Sequence, residues 1–202
     1  MIRAALLGLL VADPAFAGPA FAAGPPDPDW PCIQRRQPSL SLAQVWAGPL
    51  PDAATEALVD APEVQELART IALRRTPMAD AEARIAGFAE THDPAALTAL
   101  MVATLDHVNH ARNRVMAGIT SYAHKQEALD VRIDDTRHAL AAATAAEPQD
   151  FDRIDALEEE LDWSTRIFQD RQQSLTYVCE TPVILEQRVF ALARSIAALL
   201  PQ

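Results

Sequence analysis

Two cysteines are the residues of this 202-residue chain with the clearest potential for covalent chemistry. Cys32 lies in a proline-rich region, and Cys179 lies inside a long helical pattern. An even number of cysteines in an exported chain is typical of disulfide bonding, and we predict an intramolecular bridge between these two. An intermolecular bridge or a redox role is the alternative. The spacing is not C-x-x-C, so it gives no support to thioredoxin-like chemistry.

A second candidate site is the acidic segment, residues 127–162, in which twelve carboxylates and three arginines give a local net charge of −9. Eight of the acids form the predicted partner-binding surface: Asp134, Asp135, Asp152, Asp155, Glu158, Glu159, Glu160 and Asp162. The surface has two main interpretations, a solvated face kept soluble by like charge or a docking face for a basic protein. Divalent-cation binding has less support, because EF-hand spacing and its loop glycine are missing.

Arg112, Gln126 and Arg171 lie in the heptad pattern and are predicted to form polar layers, and Ser164 is a further weak point in it. If the chain reverses near Pro148, Arg171 lies opposite Gln126, and Glu186 can compensate the charge of Arg112. Polar layers of this kind usually specify register and pairing between helices. A switch, or an opening accessible to a partner, is the alternative.

Histidines and catalytic motifs give little sign of an enzyme. His107 and His110 could chelate weakly, but only Asp106 is nearby as a further ligand, so we expect solvent-facing histidines and predict no metal site and no cofactor. The sequence has no G-x-S-x-G, H-E-x-x-H, P-loop or G-x-G-x-x-G motif. We therefore predict a non-enzymatic protein, and a pocket lined by the two histidines and carboxylates would overturn that.

Composition sets the class of fold and of partner. Only 5 % of the residues are aromatic, and Ala and Leu dominate, which favours helices over strands. The net charge of −11 argues against nucleic acid as a partner. Residues 1–22 resemble a secretory signal peptide with cleavage after Ala17 or Ala22, so we expect an exported, periplasmic protein that does not span the membrane.

The elements that position these residues follow from proline spacing and apolar periodicity. Residues 23–61 are predicted to be a proline-rich arm with one short helix. Four apolar residues of the arm are expected to lie against the rest of the protein, namely Trp30, Ile33, Val45 and Trp46. Residues 62–202 are predicted to be a helical bundle with a coiled-coil hairpin. The arm is expected to be pinned to the bundle by the disulfide.

The hairpin is the strongest prediction from the sequence. Apolar residues alternate steps of three and four from Met101 to Ala143, and again from Ile154 to Leu199, which is the heptad pattern of a coiled coil. Two such helices joined by a turn near residues 146–150 must run antiparallel. Pro182 falls inside the second pattern, where we expect the helix to be interrupted or kinked and to restart in phase.

The sequence therefore predicts an all-α protein, a small helical bundle extended by a long antiparallel coiled-coil hairpin, with a proline-rich N-terminal arm pinned by a disulfide. The turn end of the hairpin is expected to project as an acidic stalk. The leading functional hypothesis is a periplasmic adaptor or assembly protein that presents this stalk to a protein partner with a basic surface. A chaperone-like holdase for unfolded clients is the alternative, and homo-oligomerisation through the stalks is a third.

Overall fold

The computed structural model describes Asp27 and residues 29–201, and every regular element in this part of the chain is a helix. The helices are α1 (Leu42–Val45), α2 (Ala53–Leu58), α3 (Pro62–Ala72), α4 (Met78–Ala89), α5 (Pro94–Ala145) and α6 (Phe151–Ala197). The predicted all-α class is thereby confirmed. The predicted signal peptide, residues 1–22, lies outside the described residues.

Most helices begin where the sequence offers a capping side chain. Asp93 caps α5 by accepting a hydrogen bond from the backbone N–H of Ala96, and Asp150 caps α6 in the same way. At α1, the Gln44 side chain accepts a hydrogen bond from the backbone N–H of Ser41 (2.8 Å). These contacts satisfy backbone N–H groups that have no partner within the helix.

Helix α2 is an element that the sequence analysis missed, since it lies in the region assigned to the proline-rich arm. Its cap is Asp52, which accepts hydrogen bonds from both the backbone N–H and the hydroxyl of Thr55 (2.9 Å each). These bonds hold the pKa of Asp52 below its usual value. An acid following Pro51, with Thr at the third helical position, was the signal available in the sequence.

Helices α5 and α6 pack together along their length. The Arg112 side chain approaches Glu186, the Tyr122 hydroxyl donates to the backbone carbonyl of residue 171, and Gln126 donates to that of residue 168. Residues with higher numbers on α5 contact residues with lower numbers on α6, so the two helices run antiparallel over this stretch.

Pro182 does not interrupt α6, which continues as one helix from Phe151 to Ala197. Of the two predicted alternatives, the interruption is wrong and the kink stays a prediction. Proline in a helix interior removes one backbone hydrogen bond and clashes with the preceding turn. Pro182 is buried, and the helix continues through it despite the missing bond.

The main apolar core lies where the short helices meet one end of the α5–α6 pair. Its fully buried members include Ile71 of α3, Ile85 of α4, Leu100 of α5, and Leu192 and Ile196 of α6. On α5 this core reaches no further than Val115, and on α6 it starts at Leu185. The short helices therefore cover only this end of the two long helices.

A smaller apolar cluster fastens the N-terminal arm beside this core. Trp30 is buried against Met116 and Ile119 of α5, with Cys32 and Val178 packed around it. The predicted disulfide is confirmed, because Cys32 is bonded to Cys179 across a sequence separation of 147 residues. These contacts hold the arm against both long helices.

Ile33 does not pack as the sequence analysis expected. Its side chain is fully exposed, although it directly follows Cys32. By contrast, Val45 and Trp46 are buried as predicted, and Trp46 donates its indole N–H to the carbonyl of Pro49 (2.8 Å).

Candidate functional site: the acidic segment

Burial within the acidic segment is confined almost entirely to the predicted heptad seam. Its buried or half-buried residues are Leu129, Ile133, Thr136, Ala139, Leu140, Ala143, Ile154, Leu157 and Leu161. All other residues of the segment, including all twelve carboxylates, are exposed. The two helices thus use one narrow face for their mutual contact, and the rest of the surface is free for charge.

The eight predicted partner-binding acids fall on both helices of this segment. Asp134 and Asp135 lie on α5, and the other six lie on α6. Within the described residues, Asp134 is the one member of this set with an ion pair, at 2.7 Å from Arg137. Like charges three and four residues apart on a helix repel each other, so this crowding lowers helix stability.

The exposed carboxylates create a negative local potential. A cluster of exposed carboxylates raises the local concentration of a basic partner and accelerates its encounter. Because exposed charges are screened over roughly 8 Å at physiological ionic strength, such binding is sensitive to salt.

Arg112, predicted to be a polar residue in the seam, is buried with a side chain only 2 % exposed. Its Nη2 donates to the carbonyl of Gln37 in the arm (3.3 Å) and lies 3.7 Å from the Glu186 carboxylate. Its Nε and Nη1 have no partner among the described residues. Burial lowers the pKa of Arg112, and the nearby Glu186 partly opposes this shift. The guanidinium therefore joins arm, α5 and α6 at one point, but its hydrogen bonding is incomplete.

The predicted pairing of Gln126 with Arg171 takes a different form in the structure. Gln126 donates to the carbonyl of Phe168 (3.2 Å), and its Oε1 has no partner among the described residues. The Arg171 side chain is exposed, and its backbone carbonyl instead accepts from the hydroxyl of Tyr122 (2.5 Å). Burial raises the pKa of this phenol, which the sequence analysis did not single out. The polar layer is thus built from side chains of α5 and backbone carbonyls of α6.

The two histidines considered for chelation lie in different environments. His110 is exposed beside Asp106, as expected. His107 is half-buried, and its Nε2 lies 3.0 Å from Oε1 of Gln65 on α3, which differs from the expected solvent-facing position. Burial lowers the pKa of His107, so the neutral ring is favoured there. Among the described residues, no three potential metal ligands come together.

Trp163 is a feature of the site that the sequence analysis did not select. Its side chain is 62 % exposed on α6, at the edge of the acidic segment. It lines a surface concavity of about 710 Å³ whose other residues are Ala156, Glu159, Glu160, Asp162 and Arg166. The signal available in the sequence was a large aromatic residue beside the heptad seam rather than within it.

Comparison of the chain with protein-family models, with curated proteins and with solved structures finds no match. None of the helices in the described part of the chain combines the length and the apolar composition needed to cross a membrane.

Proposed function

We propose that this protein is an exported, non-enzymatic interaction protein of the periplasm, an adaptor or assembly factor that binds a basic protein partner through its acidic segment. In this proposal the short helices and the adjoining ends of α5 and α6 form a helical bundle, and the remainder of the two long helices forms a coiled-coil hairpin that projects as a stalk. The extent of the main core, which ends at Val115 and begins again at Leu185, supports this division.

The observation that carries the proposal is that all twelve carboxylates are exposed on a segment whose burial follows a single seam. The segment lies outside both apolar clusters and bears like-charge repulsion, so the main core does not require its length. At about 1.5 Å per residue, residues 127–145 of α5 extend the protein by about 27 Å. Reach and charge are both useful for holding a partner away from the bundle.

The arm supports an adaptor over a holdase. A holdase needs an open apolar groove for its clients, and the boundary between the core and the acidic segment is where the long helices could offer one. Trp30 fills that apolar strip against Met116 and Ile119, and the disulfide to Cys179 secures it. The disulfide is also typical of an oxidising compartment such as the periplasm.

A deletion tests whether the acidic segment binds the partner. One variant is shortened symmetrically between Ala128 and Leu161 and closed by a short glycine turn, and its partner recovery in a quantitative pull-down is compared with that of the full chain. We expect the shortened variant to lose the partner while retaining the disulfide and the main core. Equal recovery by the two proteins would refute the proposed function.

Charge variants separate the role of the carboxylates from that of length. The test variant neutralises four acids of the segment, Asp152→Asn, Asp155→Asn, Glu158→Gln and Glu159→Gln. The matched control neutralises four exposed acids outside it: Asp60→Asn, Glu63→Gln, Asp80→Asn and Glu90→Gln. Both carry the same net charge, so a loss of partner in the first variant alone assigns binding to the segment, and equal losses argue against it.

A further inference from the structure

We propose that Trp163 is the anchor of the acidic docking surface, and that it receives an arginine side chain from a basic amphipathic helix of the partner. This inference rests on the proposed function and adds to it the chemistry and the shape of the partner. It follows from three properties of the site: the position of Trp163 on α6, the exposure of its indole, and the charges around it.

The concavity is formed along one face of α6. Ala156, Glu159, Glu160, Trp163 and Arg166 are spaced by i, i+3, i+4, i+7 and i+10, which places them on the same side of a helix. Ala156 is small and lies two turns before Trp163, so the indole stands beside a depression rather than a continuous wall of side chains. A side chain of the partner can enter this depression and contact the face of the ring.

Trp163 differs from the other two tryptophans in having no structural task. Trp30 and Trp46 are 9 % and 8 % exposed, and each donates its indole N–H to a backbone carbonyl, of Gln34 and of Pro49 respectively. The indole N–H of Trp163 has no acceptor among the described residues, and most of its ring faces solvent. Tryptophan is the residue most enriched among those that dominate binding energy at interfaces.

The surrounding charges define the occupant. Glu159, Glu160 and Asp162 outnumber Arg166 around the ring, within a segment of net charge −9. A second copy of this chain, itself at −11, is repelled. An arginine fits best, because its planar guanidinium stacks on an indole while its N–H groups donate to carboxylates.

The shape of the exposed apolar surface favours an elongated occupant. Tyr177 and Ile184 follow Trp163 at the same heptad position, fourteen and twenty-one residues further along, and are 75 % and 39 % exposed. At about 1.5 Å per residue they lie about 21 and 32 Å from Trp163 along α6. A helix laid along α6 with side chains one or two heptads apart can contact all three positions.

Defined peptides provide the probe. An amphipathic helical peptide carrying arginines one heptad apart is compared with the same peptide carrying lysine or glutamate, by fluorescence anisotropy of the labelled peptide at fixed salt. We expect the arginine peptide to bind most tightly and the glutamate peptide not to bind. Binding should also protect the tryptophan emission from acrylamide quenching, because Trp163 is the exposed tryptophan of the three.

The decisive comparison is between two exposed aromatics. Trp163→Ala should weaken binding of the arginine peptide by about tenfold or more. Trp163→Phe should recover part of the loss. Phe151→Ala is the control, since Phe151 is 68 % exposed and lies about 120° around α6 from Trp163. Binding by Trp163→Ala within about threefold of the wild type, or an equal loss in Phe151→Ala, overturns the inference.

The test distinguishes this inference from the proposed function. If neutralising Glu159, Glu160 and Asp162 weakens peptide binding while Trp163→Ala leaves it unchanged, the anchor is wrong and an acidic docking surface still stands. If the shortened variant keeps the partner, the proposed function fails regardless of what Trp163 does. Circular dichroism of each variant confirms that the fold is retained, which we expect because Trp163 belongs to neither apolar cluster.

Discussion

Removal of the disulfide is the perturbation whose effect can be worked out most fully. The bond joins residues separated by 147 positions, so it removes a large part of the conformational freedom of the unfolded chain. The chain-entropy relation gives about 5 kcal/mol for a loop of this size at room temperature. Because single domains are stable by roughly 5–15 kcal/mol, loss of the bond should remove a large share of the free energy of unfolding.

The native state should change much less than the unfolded state. Without the bond, Trp30 still packs against Met116 and Ile119. The Thr120 hydroxyl still donates to the carbonyl of Asp29 (2.9 Å). We therefore expect the far-ultraviolet circular dichroism of Cys32→Ser/Cys179→Ser in the absence of denaturant to match that of the oxidised wild type.

Urea unfolding followed by circular dichroism measures the effect. The double serine variant and the wild type in reductant should both lose about 4–5 kcal/mol relative to the oxidised wild type. With a urea dependence of about 2–3 kcal/mol per molar, the midpoint should fall by about 2 M. The slope should also rise slightly, because an unfolded chain without the cross-link exposes more surface.

Two observations test whether the disulfide acts through the entropy of the unfolded chain. The serine variant contains no thiol, so reductant should not change its unfolding curve. A loss below about 2 kcal/mol with an unchanged slope would show that the bond does not act mainly on the unfolded state. The explanation from loop entropy would then have to be abandoned.

Three further predictions concern single residues, each measured by thermal or urea unfolding. Arg112→Met should change the free energy of unfolding by less than about 1 kcal/mol, because removing two buried donors without partners offsets the lost contacts to Gln37 and Glu186. Arg112→Ala should lower the free energy of unfolding by about 2–3 kcal/mol, because it also leaves a cavity. A large loss in Arg112→Met would contradict the incomplete bonding. Ile133→Ala should lower the free energy of unfolding by about 2–4 kcal/mol and Ile133→Val by about 1 kcal/mol, because Ile133 is 2 % exposed in the seam. A negligible loss would show that α5 and α6 are not packed there. Burial lowers the pKa of His107 in the folded state from the ordinary value of 6.5. The unfolded chain therefore binds this proton more readily than the folded protein. The free energy of unfolding should fall as the pH drops through and below 6.5. His107→Gln should lose less stability than the wild type between about pH 7.5 and about pH 5.5, and an equal loss would exclude this origin.

The sequence alone determined the features that depend on local chemistry. Asp93 and Asp150 mark helix starts, because a capping carboxylate and the N–H that it accepts from are three residues apart. The heptad pattern identified the buried side of the acidic segment, because a period of three and four residues defines one face of a helix in any context. The exposure of the acids followed directly, since all of them lie off that face.

The tertiary structure alone decided features that depend on a segment arriving from elsewhere in the chain. His107 is half-buried because Gln65 of α3 reaches it, and no local pattern encodes that approach. In the polar layer, Tyr122 rather than Arg171 supplies the side chain, because the exact rotation of α6 against α5 is set by packing along the whole pair.

The candidate site combines the two kinds of information. Charge density could be read from the sequence, because charged residues of a heptad pattern stay in solvent unless they are paired. The exposure of Trp163 could not be read from the sequence. An aromatic residue at the same heptad position could equally be covered by a neighbouring element. Only the placement of the short helices and the arm at the other end of α5 and α6 leaves that indole open, because their apolar faces are already satisfied in the main core.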